Sequence, residues 1–126
     1  MIEIGKSMIR EIDIDDARSI SFMGPELRVY STPAVLADIE MACRDLLLSM
    51  LDDGQDSVGH QVSMEHLDAV PLGGHAQITA KITAIDRRRI TFEASATSGA
   101  RMIARATHVR VIVAVADLKA RIASLS

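Results

Sequence analysis

Aromatic side chains are nearly missing from this chain: 126 residues hold no tryptophan, one tyrosine and two phenylalanines. Any core must therefore be aliphatic and methionine-rich. Hydrophobic residues still make up 48 % of the sequence, which excludes a disordered chain. Cysteine occurs once, at Cys43, so an internal disulfide framework is excluded and a reducing compartment is expected. Excess positive charge is missing too. A net charge of −3 with no basic face speaks against nucleic acid as a partner. The longest charge-free apolar run, Val111 to Ala116, is far too short to cross a membrane. Glu3 and Glu11 do not suit a signal peptide, so the expected location is cytoplasmic. Four scattered histidines and one cysteine at no close ligand spacing offer no metal set; neither metal nor cofactor is expected. Gly73-Gly74 lacks the pattern of a phosphate-binding loop, and no G-x-S-x-G elbow exists.

What the chain does have is one long apolar helix. Thr32 to Leu51 opens on Thr-Pro, a capping hydroxyl followed by the imino acid suited to the first turn, and closes at Asp52-Asp53-Gly54. At about 100° per residue, Val35, Leu36, Ile39, Ala42, Cys43, Leu46, Leu47 and Met50 fill one wide arc. Glu40 breaks that arc. An ionisable group aimed at a core is costly unless paired. Arg44, four residues on, offers an ordinary helical ion pair as the structural account.

Around the helix, period-two patterns predict strands. The first runs from residue 2 to 14, broken by Gly5. Residues 17 to 31 read as a loop around Gly24-Pro25. After the helix, Val58, His60, Val62, Met64 and His66 share one face, the face expected to meet the helix. Pro71 to Gly74 makes a turn. His75 to Ile85 and Ile90 to Ser98 follow, joined at Asp86-Arg87-Arg88. The last strand, from about Met102 to Val115, carries Val109, Val111, Val113 and Val115 on one face and His108 and Arg110 on the other. A short helix, Asp117 to Ala123, ends the chain. One domain over residues 1–126 is expected. Hairpin-joined strands give an antiparallel sheet, and only the long helix can cover its apolar face. An α+β hotdog fold, with an antiparallel sheet wrapped around one central helix, is the prediction. The open edge of so small a sheet predicts a homodimer or a higher homo-oligomer.

On this fold Glu40 and His66 approach one interior, and Thr32 adds a hydroxyl at the helix N-terminus, where free N–H groups can hold an oxyanion. Singly, Thr32 caps a helix and His66 ends a strand; together the three favour a site. The Arg87-Arg88-Arg89 turn reads as a solvent-facing hairpin before a CoA phosphate site. His60 and His75 read as ordinary polar positions.

The stretches Y-S-T-P-A-V-L-A-D-I-E-M-A-C, S-V-G-H-Q-V-S-M-E-H-L-D-A-V-P-L-G and A-T-H-V-R resemble the fluoroacetyl-CoA thioesterase family over nearly the whole chain. The resemblance implies an acyl-CoA thioesterase with a catalytic Thr32, Glu40 and His66. It further implies Gly59 allowing close approach of the thioester, Arg110 near the substrate, and CoA present only as part of that substrate. One departure stands out. Phe22 falls early, and Met23 and Glu26 occupy positions where that family carries gate aromatics, so a short or medium acyl chain other than fluoroacetyl is expected. A hotdog hydratase or dehydratase and a non-catalytic acyl-CoA-binding dimer are the rival readings.

Overall fold

The computed structural model describes residues 1–125. In chain order the elements are β1 (Ser7–Asp13), α1 (Thr32–Leu48), β2 (Gln55–His66), β3 (His75–Asp86), β4 (Arg89–Ser98), β5 (Arg101–Ala114) and α2 (Val115–Ala123). The five strands form one antiparallel sheet in the order β1-β3-β4-β5-β2, so β1 and β2 are its open edges. The helix α1 lies across one face and touches every strand. This is the expected hotdog arrangement.

The scarcity of aromatics explains how closely helix and sheet pack. Ala76, Ala80, Ala94, Ala96, Ala104 and Ala106 line the inner face among Ile78, Ile82 and Ile90, and Phe92 is the one buried phenylalanine. Val35, Ile39, Ala42, Cys43, Leu46 and Leu47 descend from α1 onto this floor of small residues. Large side chains from the helix fill spaces that small ones leave in the sheet, which is how interiors reach crystal-like density.

The ends of α1 differ from expectation by one residue at the cap and three at the C-terminus. Ser31, not Thr32, is the N-cap, and its hydroxyl accepts from the Ala34 N–H at 3.2 Å. That frees Thr32 for other work. The helix also stops at Leu48, because Ser49 takes the capping position and the Met50 N–H turns back to the Leu47 carbonyl in a tighter step. The loop before α1 is fixed by Tyr30, buried, whose hydroxyl donates to Asp38 at 2.5 Å while Arg18 grips the same carboxylate.

Two corrections concern the strands that face α1. On β2 the pairing slips between Gly59 and Gln61, leaving His60 as an extra residue. The bulge inverts the alternation, so Ser57 and Gly59 point inward before it and Val62, Met64 and His66 after it. Val58 therefore leaves the core face to which its even number had assigned it, and pairs with Val111 on the outer face. Gly59 and His66 are seven residues apart, and a regular strand would put them on opposite faces. The bulge turns both toward the helix. On β5 the inward face is the polar one. His108 and Arg110 are buried with Ile112, whereas Val109, Val111 and Val113 stand half-buried on the outer face.

Candidate active site

The first pair forms where α1 begins. As the first helical residue, Thr32 points its freed hydroxyl at His66 Nδ1, 2.7 Å away at the end of β2. The other ring nitrogen, Nε2, is buried and has no hydrogen-bond partner among the described residues. Buried polar atoms are normally satisfied, so this nitrogen marks an unfinished interaction. In the first helical turn, Pro33 has no N–H and Ser31 takes up those of Ala34 and Val35. Among the described residues the Thr32 N–H has no hydrogen-bond acceptor.

The second group forms halfway along α1. The Glu40 carboxylate, 39 % exposed, turns away from Arg44 and toward β5, where its Oε2 lies 3.5 Å from Arg110 Nη1 and 4.0 Å from His108 Nε2. The helical Glu40–Arg44 pair is not made. Arg44 instead holds Asp56 of β2 through two hydrogen bonds, at 3.0 and 2.6 Å. Arg110, 4 % exposed, spends its remaining donors on Ser57, with Nε to the hydroxyl at 2.7 Å and Nη2 to the carbonyl at 2.8 Å. It stands behind Glu40 as a buried counter-charge.

Gly59 is the wall of this group. A Cβ there would lie 2.5 Å from Glu40 Oε2 and 3.5 Å from the His108 ring. No other residue fits without moving the carboxylate. The resemblance implies that this glycine admits the thioester; in the structure it first admits Glu40. Glu40, Gly59, His60, Gln61, Val62 and His108 line a cleft of about 200 Å³, small enough to suit a short acyl group. A larger groove of about 510 Å³ on the opposite face of the sheet is lined mostly by polar residues and holds neither Glu40 nor His66. Cys43 is no rival nucleophile, because burial pushes its thiol up to about 12.

The expected set thus falls into two groups, Thr32 with His66 and Glu40 with Gly59 and Arg110. Among the described residues no hydrogen bond or ion pair joins them. Eight residues of helix separate Thr32 from Glu40, about 12 Å along the axis. The sequence reading missed His108 as a member of the second group. The signal was present: Ala104, Ala106 and Ile112 share its parity and belong to a core face.

A sheet of small inner residues wrapped around one central helix is the hotdog fold, and at that helix this chain carries an anchored carboxylate and a histidine–threonine pair. The model of the fluoroacetyl-CoA-specific thioesterases matches residues 14–116, and the chain belongs to that family. The fluoroacetyl-CoA thioesterase of Streptantibioticus cattleyicolor is 22 % identical over 96 % of this chain and 92 % of its own length. A solved fluoroacetyl-CoA thioesterase superposes with a TM-score of 0.89 at 21 % identity, covering 100 % of this chain and 98 % of the other. A thioesterase superfamily member from Thermus thermophilus gives 0.90 at 22 % identity over 99 % and 93 %. The activity of the family is thioester hydrolysis, and this chain is an acyl-CoA thioesterase. Among the described residues no helix is long and apolar enough to cross a membrane.

Proposed function

We propose that the protein hydrolyses a short acyl-CoA thioester at a site shared between two copies, with Thr32 and His66 of one protomer meeting the partner's Glu40. The observation that carries this reading is the Glu40 carboxylate, half-exposed and held over a glycine where a side chain would displace it. Edge strand β2 supports the sharing. A two-fold axis midway between Gly59 and His66 that pairs two β2 strands antiparallel sets each copy's inward-facing His66 beside the other copy's inward-facing Gly59. That pairing brings the unpartnered His66 Nε2 toward the carboxylate that the same chain holds about 12 Å away along the helix.

In this arrangement the thioester carbonyl oxygen is held by the Thr32 N–H at the positive end of the helix. The Thr32 hydroxyl donates to His66 Nδ1, which leaves the proton on Nε2 facing the leaving sulfur. Glu40 attacks the carbonyl carbon, or takes a proton from the water that does. The C–S bond breaks, His66 protonates the thiolate and CoA leaves. The free acid forms at once where water attacked; where Glu40 attacked, it forms when water hydrolyses the Glu40 mixed anhydride and returns a proton to His66. An acyl-CoA panel followed with a thiol reagent tests the activity. A hydratase would change the acyl chain without releasing thiol, a binding protein would do neither, and either result would overturn the reading.

A further inference from the structure

His108 has no part in the hydrolysis just described, yet it is 1 % exposed and makes two directed contacts. We propose that His108 is a positioning residue for this same reaction: by accepting from Arg110 it keeps the guanidinium from closing fully on Glu40, which leaves the carboxylate free for the substrate. The proposal rests on the thioesterase reading, and its geometry is independent of it.

The partners fix the state of the ring. A backbone carbonyl only accepts, so Nδ1, 2.8 Å from the Gln61 oxygen, carries the proton. A guanidinium only donates, so Nε2, 3.2 Å from Arg110 Nη1, presents its lone pair. His108 is therefore neutral. Burial, reinforced by the Arg110 charge, holds its protonation below the usual imidazole range. Stacking on Phe92, at 6.2 Å between ring centres, keeps the ring in plane.

Arg110 Nη1 thus faces two acceptors at once. His108 Nε2 is the nearer at 3.2 Å and Glu40 Oε2 the farther at 3.5 Å. A guanidinium free to choose takes a carboxylate at about 2.7–2.9 Å. Shared with the imidazole, it supplies charge to Glu40 without capturing it. The other contact of His108 reaches the main chain of β2 at Gln61, next to the bulge. One ring therefore ties the inversion that brings Gly59 inward to the charge behind Glu40.

Two substitutions separate the contacts. His108→Asn keeps a donor about where Nδ1 stands and removes the acceptor for Arg110; His108→Gln carries an acceptor about to Nε2 and gives up the carbonyl bond. With the best thioester of the panel, the Asn variant should lose at least about tenfold in kcat with KM little changed. The Gln variant should recover most of that loss. In crystals of the Asn variant, Arg110 Nη1 should close on Glu40 to about 2.9 Å. Wild-type kcat in a folded Asn variant, an unmoved Arg110, or a Gln variant no better than Asn would each overturn the proposal. Should the Asn variant not fold, the Gln variant decides alone, and a loss of about tenfold or more with Arg110 in place overturns it. If the wild type releases no thiol from any thioester, the reading of the function fails, while the crystallographic distance still decides the claim about Arg110.

Discussion

The carboxylate halfway along α1 and the hydroxyl at its start stand in unlike surroundings. Glu40 is held by one chain alone: Gly59 makes room, Arg110 supplies charge, Ser57 anchors Arg110, and His108 occupies its free donor. Among the described residues the Thr32 and His66 side chains have only each other, and His66 Nε2 ends without a partner. A carboxylate facing an apolar seam needs a counter-charge in its own chain, because an unpaired charge there is costly before any partner arrives. A neutral hydroxyl–imidazole pair makes no such demand and can wait for assembly. Changes at Glu40 should therefore act on chemistry within a built frame, and changes at His66 should act across an interface.

The largest effect belongs to Glu40. Glu40→Gln keeps the shape and removes the charge, and turnover should fall by about 10²–10⁴-fold. The melting temperature should fall modestly, because Arg110 stays buried without its counter-charge, while Ser57 and His108 still hold its donors. Kinetics and thermal melting of one preparation check both. Near-normal turnover by the folded variant would remove Glu40 from the reaction.

His66→Ala should cost about 10²-fold or more in kcat, and the way it combines with Glu40→Gln decides where the site lies. Each variant alone is nearly inactive. After mixing and exchange of subunits, half of the dimers are mixed and each of these carries one complete site. Activity should return to about a quarter of wild type if the site is shared. No recovery, despite exchange verified by mass, would place each site within one protomer.

Much of the layout of the candidate site was legible in the sequence. The 3.6-residue period of α1 and the alternation in β3 and β4 follow directly from a helix laid on an alanine-rich sheet, and they placed Glu40 in the seam. The bulge was not read, because a count of odd and even positions assumes an unbroken strand. Gly59, isolated inside a strand pattern, was the available warning. The inward turn of His108 and Arg110 was hidden for a related reason. Four valines make a more apolar face than a histidine and an arginine, yet Ser57 and Glu40 satisfy the arginine from other elements, which period alone cannot show. Partner choice failed likewise at Arg44, whose better carboxylate lies on β2.

Gly59→Ala sharpens the contrast with a smaller effect. The new methyl meets the far end of a flexible side chain and no backbone, so the fold should survive with a melting temperature close to wild type. The carboxylate must swing aside, and kcat should drop by about tenfold or more, since small misplacements are expensive in catalysis. An unchanged kcat would show that Glu40 works from more than one position.

Acyl selectivity should be weaker still. Phe22 and Met23 are exposed, and among the described residues lining the cleft beside Glu40 the only rings are the imidazoles of His60 and His108. With no phenylalanine gate in place, fluoroacetyl-CoA should be preferred to acetyl-CoA by less than about tenfold in kcat/KM. A much larger ratio would mean that another residue, from this chain or its partner, closes over the acyl group.

The smallest effect on turnover is expected at Arg44, where sequence and structure disagree most plainly. If Arg44 were the partner of Glu40, Arg44→Ala would release the carboxylate and disturb the reaction. In the structure it binds Asp56 and ties α1 to the start of β2, so turnover should stay within about twofold of wild type. The trace of the mutation should instead appear in the dependence of stability on pH. Hydrogen bonds from Arg44 hold the Asp56 carboxyl below its ordinary range. A depressed carboxyl stabilises the fold above its unfolded pKa, and that contribution is lost as pH falls toward the depressed folded value. Wild type should therefore lose melting temperature on acidification more steeply than Arg44→Ala. Thermal melts from neutral to acid pH, run beside kcat at neutral pH, test both halves. Parallel acid limbs would show that the Asp56 pairing adds nothing measurable, and a large fall in kcat would restore Arg44 as the partner of Glu40.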